Sequence, residues 1–140
     1  PIPSRGLGDV YKRQTKKDVS RVKETRSEKS YTIRFKVDNP ISEQEAVKSI
    51  AALSGITLEQ ETPKRVSHRR AAKTRKRRVT AISNILVEDD EIQFSLRCEA
   101  GTYVKELVHS DEGRTSPSVS SVIERECVVL WLDVDEIHAD

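Results

Sequence analysis

The clearest pattern in the chain is a strict alternation of apolar and polar side chains in two short segments. Residues 31–37, YTIRFKV, and residues 91–98, EIQFSLRC, place an apolar side chain at every second position. A period of two is typical of a β-strand with one face buried and the other in water. The sequence therefore predicts two strands whose buried faces carry Tyr31, Ile33, Phe35, Val37, Ile92, Phe94, Leu96 and Cys98.

A helical pattern lies between these two strands. Ser42 is followed three residues later by Glu45, which is the capping-box arrangement that opens many helices. Behind this cap, apolar residues recur at helical spacing until Gly55, a residue that commonly ends a helix. The pattern predicts a helix within residues 42–55, with its apolar positions at Ala46, Val47, Ile50, Ala51 and Leu53.

The remaining segments complete the pattern of an α+β domain. Further strands are predicted at residues 56–63, 77–87 and 127–137. Further short helices are predicted at residues 15–29, 102–110 and 116–126, the last one capped by Ser116 or Ser118. The final strand is apolar enough to lie inside a sheet. We therefore expect an antiparallel or mixed sheet with short helices on one face.

Composition narrows the class of protein. The 140 residues suit about one domain, and 35% of them are hydrophobic while 34% are charged. No apolar run approaches the roughly 18 residues that span a bilayer, and no segment resembles a signal peptide. Cys98 and Cys127 lack the paired spacing of a structural zinc site. We expect no metal, no membrane and a cytoplasmic location.

Positive charge is concentrated in residues 64–78, which we call the basic segment. It holds nine basic residues and no acidic one, whereas the rest of the chain has 16 basic against 23 acidic residues. Such a concentration predicts a polyanionic partner. A solvated charged loop is the alternative explanation. The basic residues are Lys64, Arg65, Arg69, Arg70, Lys73, Arg75, Lys76, Arg77 and Arg78.

The first fourteen residues have a different character from the rest. Residues 9–14, DVYKRQ, back-translate naturally to GATGTGTATAAGAGACAG, which resembles the mosaic-end adapter of transposon-based sequencing libraries. We therefore expect residues 1–14 to be a sequencing scar, with the natural reading frame continuing upstream, and residues 15–140 to be protein. A genuine flexible tail is the alternative.

Three ordered segments carry a resemblance to a known family. GTYVKEL, residues 101–107, resembles the G-T-Y-[VI]-[KR] segment of pseudouridine synthases, including the TruB type. TPKRVSHRRA at 62–71, RKRRV at 75–79 and EAGTYVKELVHSDEGRTSPSVS at 99–120 are more similar to the archaeal and eukaryotic Pus-ten family. That family makes pseudouridine in the TΨC arm of tRNA. The resemblance covers about residues 20–138 and implies a pseudouridine synthase catalytic fold.

The resemblance assigns roles to residues at matching positions. Tyr103 matches the tyrosine that packs on the target base, and Tyr31 falls where the family has its second active-site tyrosine. Lys105 matches the basic residue that pairs with the nucleophilic aspartate in a dry pocket, where a cation favours the ionised carboxylate. Taken singly, each tyrosine would more often be a core or edge aromatic, and Lys105 a solvated helix residue. The family reaction needs no cofactor.

The same resemblance identifies the polyanion as tRNA. The expected RNA-binding residues are Arg65, Arg69, Arg70, Lys73, Arg75, Lys76, Arg77, Arg78 and Arg114. For Arg114, capping of a helix is an equally good explanation.

The nucleophilic aspartate itself has no match in the sequence. The family carries it in a segment resembling G-R-E-D-x-D, upstream of the strand that holds Tyr31. That context is absent around Asp9, Asp18, Asp38, Asp89, Asp90, Asp111 and Asp133. We therefore expect a C-terminal fragment of a tRNA pseudouridine synthase, monomeric in its parent and inactive alone. The alternatives are a stand-alone RNA-binding module and a TruB-like synthase.

Overall fold

The structure, a computed structural model, describes residues 27–138. Strands and helices follow one another along the chain as β1 (Glu28–Val37), α1 (Glu43–Ala51), β2 (Thr57–Glu61), β3 (Thr74–Glu88), β4 (Glu91–Cys98), α2 (Val104–His109), β5 (Thr115–Ser116), α3 (Val119–Ile123) and β6 (Cys127–His138). The strands form one six-stranded sheet in the order β5-β2-β3-β4-β1-β6. All of its pairings are antiparallel, which confirms the α+β class.

One face of the sheet forms the core together with the three helices. The apolar positions of β1 and β4 are buried as their period of two predicts, and the rings of Phe35 and Phe94 meet edge to face at 6.0 Å. Ala46 and Ile50 of α1, Leu107 of α2 and helix α3 pack into the same cluster. The opposite face is polar and carries ion pairs such as those of Arg34 with two glutamates, each at 2.6 Å.

The helix caps confirm the sequence predictions at two positions. Ser42 Oγ accepts a hydrogen bond from the Glu45 backbone N–H, which opens α1. Of the two candidate caps for α3, Ser118 is the one used, in a reciprocal capping box with Ser121. Gly55, with φ of +83°, ends the turn that follows α1. Local hydrogen-bonding chemistry therefore decides where these helices begin.

Two expectations need correction. β6 does not lie inside the sheet: among the described strands it pairs with β1 alone, and Val128 and Val134 are 64% and 59% exposed. The composition of β6 indicates how apolar the strand is, but it does not indicate whether strands pair with it on one side or on both. Residues 28–29 belong to strand β1 and not to the helix expected over 15–29.

Residues 15–26 of that expected helix lie outside the described residues, as do residues 1–14, which we expect to be adapter sequence. Within residues 27–138, no helix is long and apolar enough to cross a membrane.

Candidate functional site

The buried side chain of Gln60 joins strand β2 to two parts of the 99–120 family segment, the GTY turn and the GRTSPS loop. This residue of β2 is 1% exposed. Its amide Nε2 donates to the Tyr103 carbonyl at 2.9 Å, and its Oε1 accepts from the Tyr103 N–H at 3.0 Å. Nε2 also donates to Thr115 Oγ1 at 3.1 Å. One side chain therefore joins the strand before the basic segment to the GTY turn and to the GRTSPS loop.

The GTY turn has a conformation that explains its glycine. Gly101 has φ of +86°, a region that residues with a Cβ rarely adopt. A Cβ at this position would also lie 3.2 Å from Nε and Nη2 of Arg77, a residue of the basic segment. Thr102 Oγ1 donates to the Glu99 carbonyl at 2.6 Å and closes the turn. The chain then enters α2 with Tyr103 as the N-cap residue.

The ring of Tyr103 lies against a charged pair. The Arg65 guanidinium is 5.8 Å from the centre of the ring, within cation–π range. Arg65 Nε and Nη2 also donate to the two carboxylate oxygens of Glu106 at 2.7 and 3.2 Å. The hydrogen bond to Glu106 is the main reason that the pKa of Arg65 is raised. Arg65 was expected to bind RNA, but its Nε and Nη2 groups donate to a carboxylate of the protein itself.

Tyr31 lies on the core face of β1, half-buried, opposite Leu96 in the neighbouring strand. Burial raises the pKa of Tyr31 to about 12, which moves ionisation of its hydroxyl still further above physiological pH. The nearby Cys98 thiol contributes to that shift, and burial raises the pKa of Cys98 itself to about 11. The Thr102 side chain of the GTY turn acts on the pKa of Cys98 in the opposite direction and lowers it.

Lys105 lines an open cleft between α2 and strand β6. The cleft has a volume of about 530 Å³ and is otherwise lined by His109 and residues 127–132. Lys105 is exposed and makes no hydrogen bond or ion pair with another described residue, so the expected dry pocket is not formed by residues 27–138. None of the described residues that line the cleft carries a carboxylate.

The strand geometry of β3 divides the basic segment between two faces of the sheet. Arg75 and Arg77 stand opposite Gln60 and Leu58 and share their face, which is also the face of Tyr103. Lys76 and Arg78 alternate with them and therefore point to the other face. The exposed residues Arg69, Arg70 and Lys73 precede the strand.

Arg114 belongs to the GRTSPS loop and bonds mainly within it. Its Nη1 donates to the Asp111 carbonyl at 3.0 Å and lies 3.4 Å from a Glu112 carboxylate oxygen. Neither partner is a helix end that Arg114 would cap, so the structure favours a role in holding the loop. Among residues 27–138, no group of three or more His, Cys, Asp or Glu side chains is arranged to hold a metal ion.

Comparison with known proteins identifies the family. A family model described as "Pus10, C-terminal" matches residues 6–138, nearly the whole chain. This chain belongs to the Pus10 C-terminal family. The match begins within the first fourteen residues, which we expect to be adapter sequence.

Curated members of the Pus10 family are similar over most of this chain. The tRNA pseudouridine synthase Pus10 of Methanocaldococcus jannaschii is 37% identical over 123 residues, which are 88% of this chain and 27% of that protein. The Pus10 of Xenopus laevis is 38% identical over 96 residues, 69% of this chain and 19% of that protein. The chain therefore spans about a quarter of the length of these relatives.

Solved structures bear out the fold. A chain of a Cbf5–Nop10–Gar1 complex superposes with a TM-score of 0.65 at 20% identity, over 81% of this chain and 31% of that one. A chain of an H/ACA RNP bound to a substrate RNA containing 2′-deoxyuridine gives a TM-score of 0.62 at 18% identity, over 86% of this chain and 31% of that one. At such identities the likeness concerns the fold alone.

Two residues of this Pus10-family site were not expected from the sequence. Gln60 occupies a core-facing position of a strand, one period after buried Leu58, and Glu106 lies on the buried face of α2. A polar side chain at an apolar position was the available signal, because buried polar groups need hydrogen-bond partners. Their partners, Tyr103 and Arg65, are 43 and 41 residues away in sequence.

Proposed function

We propose that this chain is the C-terminal part of the catalytic domain of a tRNA pseudouridine synthase. The observation that carries the proposal is the convergence of the three family segments on the GTY turn, beside an open cleft that holds Lys105. Arg65 of the 62–71 segment lies over the Tyr103 ring, and Arg77 of the 75–79 segment lies beside Gly101. The breadth of the family match and the share of each relative that it covers support the same view. The whole enzyme converts uridine in the TΨC arm of tRNA to pseudouridine, and its nucleophilic aspartate comes from outside residues 27–138.

The chemistry gives each proposed residue a distinct task. The reaction breaks the bond between the sugar and uracil N1, turns the base, and joins C5 to the sugar, after which C5 loses its proton. The base must first leave its stack, and the faces of Tyr103 and Tyr31 recover part of that cost by packing on it. With a pKa of about 12, Tyr31 acts as a neutral hydroxyl that can hydrogen-bond to the base. Lys105 supports the incoming aspartate across the cleft.

tRNA binding is assigned to the basic segment, in which Arg69, Arg70 and Lys73 are exposed while Arg75 and Arg77 are half-buried. On β3, we place Arg75 and Arg77 on the RNA-facing side because they share the face of Tyr103, and Arg69, Arg70 and Lys73 extend that surface. Replacing Arg75 with Gln should then lower the salt slope of tRNA binding by about 1, while the Lys76→Gln control should change it less. Equal effects of the two changes would show that the bound RNA does not favour this face.

The decisive experiment compares this chain with the longer synthase that is proposed to contain it. Pseudouridine formed in a tRNA transcript is measured after digestion of the RNA to nucleosides, by liquid chromatography that separates pseudouridine from uridine, its isomer of equal mass. We expect the longer protein to convert uridine, its Lys105→Ala variant to lose most activity, and this chain alone to bind tRNA without converting it. Pseudouridine formed by the isolated chain would refute the assignment of the nucleophile to a segment outside it.

A stand-alone RNA-binding module is the second candidate, favoured because no carboxylate among residues 27–138 lines the Lys105 cleft. It would be preferred if the longer protein bound tRNA but left uridine unchanged. The proposal also includes a cytoplasmic, monomeric parent enzyme and an adapter origin for residues 1–14. A read of the source DNA without adapters tests that origin directly.

A further inference from the structure

Glu106 is a buried acid whose carboxylate accepts hydrogen bonds from a single cation, Arg65. It is 1% exposed, on the face of α2 that packs into the core. Both carboxylate oxygens accept hydrogen bonds from Arg65, which is itself half-exposed at the rim. The other titratable group that faces it is His109, whose Nε2 lies 3.9 Å from a Glu106 oxygen while its Nδ1 accepts from the Asp111 N–H. A carboxylate buried to this extent requires a partner, and Arg65 is the one that bonds to it.

Arg65 is held firmly enough to fix what it touches. It lies in a single 3₁₀ turn, Lys64–Val66, that begins directly after Pro63. Val66 is 3% exposed in the interior, and the Lys64 N–H donates to the Asp111 carboxylate at 2.9 Å. The turn is therefore anchored on both sides of Arg65. From this position one guanidinium contacts the Tyr103 ring and the Glu106 carboxylate, two groups at the start of the same short helix.

We propose that Arg65 is a positioning residue of the uridine site, which fixes the Tyr103 ring and the start of α2 to the basic segment. The inference rests on the proposed function and deepens it, since α2 also carries Lys105. It moves Arg65 from the RNA-binding residues to those that orient the pocket. The neighbouring cations that bind RNA belong to the same basic segment as Arg65. Through Arg65, this segment is rigidly joined to the tyrosine that packs on the base. Lysine cannot replace Arg65, because an ammonium lacks the flat set of N–H donors with which a guanidinium bonds to a carboxylate and packs on a ring at the same time.

The kinetic test uses the longer synthase and separates turnover from binding. We expect Arg65→Lys and Glu106→Gln each to lower kcat about 10–100-fold, as small misplacements of reacting groups do, while the tRNA Kd stays within about two-fold. The kcat of the double variant should be little lower than that of either single variant, because both substitutions remove the same contact. Arg69→Gln should instead weaken tRNA binding and its salt dependence. Lys48→Gln, on the exposed side of α1, is the unchanged control.

An independent measurement on this chain keeps the inference separate from the proposed function. Tyrosine rings are labelled with ¹³C, and the Tyr103 signals are assigned with Tyr103→Phe. Arg65→Gln and Glu106→Gln should shift these signals and speed flipping of the ring, whereas Lys48→Gln should not. Unmoved signals, or unchanged kcat in an active enzyme, would overturn the positioning role. Shifted signals together with an inactive longer protein would uphold the contact and overturn the proposed function instead.

Discussion

Replacing Gln60 with methionine tests how strand β2 is held to the GTY turn and to the GRTSPS loop. Methionine is similar in length and apolar, so it fills the space without offering hydrogen bonds. The Tyr103 carbonyl keeps a partner in this variant, because it also accepts from the Leu107 N–H at 3.0 Å within α2. The Tyr103 N–H loses its partner, Gln60 Oε1, and the Thr115 hydroxyl, in a residue 2% exposed, loses its donor.

The expected loss of stability follows from those two orphaned groups. Leaving a buried polar group without its hydrogen bond costs about 1–3 kcal/mol. The N–H contributes most of this, and the hydroxyl adds less because it can rotate toward another acceptor. We therefore expect Gln60→Met to lower the free energy of unfolding by about 2–4 kcal/mol, a large part of the roughly 5–15 kcal/mol that stabilises a typical domain.

Urea unfolding, followed by the fluorescence of Trp131 and by far-UV circular dichroism, measures this loss. The matched control is Glu59→Met, the same new side chain at the neighbouring, exposed position of β2. An exposed change of this kind should stay within about 0.5 kcal/mol. A Gln60→Met variant as stable as the control would refute the reasoning, because the Tyr103 backbone would then have another way to satisfy its N–H.

Three further predictions use independent features. Gly101→Ala should destabilise the chain by more than Gly55→Ala in the same urea experiment: both glycines have positive φ, but only the Cβ at Gly101 meets a guanidinium, at 3.2 Å. Because the pKa of Tyr31 is raised to about 12, its contribution to stability is complete below pH 10 and should be lost between about pH 10 and 12. A Tyr31→Phe variant should lack that loss in alkaline unfolding curves. Burial raises the pKa of the two cysteine thiols to about 11 and about 12, so both should resist iodoacetamide at pH 8 in the native chain and react in urea; rapid alkylation without urea would contradict this.

What the sequence predicted well is what depends on neighbours along the chain. The alternation in residues 31–37 and 91–98 predicted two strands and their buried faces, and the serine caps predicted two helix starts. These features arise from side chains within a few residues of one another. The same period of two applies to β3, and it would have shown that the basic segment cannot present all its cations on one surface.

What the sequence did not reveal depends on contacts between distant segments. β6 is as apolar as a central strand, yet its place at the edge is a matter of sheet order, which composition does not encode. The family resemblance named Tyr103, but it did not name Gln60 and it gave Arg65 a role in RNA binding alone. Both residues are joined to the GTY segment across more than 40 residues.

The positions of Gln60 and Glu106 nevertheless suggest how such residues can be sought. Each is a polar side chain at an apolar place in its own periodic pattern, where an apolar residue would satisfy the fold. Keeping a polar group there is stabilising only if a partner is fixed nearby, so both positions imply a built contact with another segment. In this chain both contacts converge on Tyr103 and the first turn of α2. The buried polar network therefore identifies the same site as the family segments, from physical grounds that are independent of the resemblance.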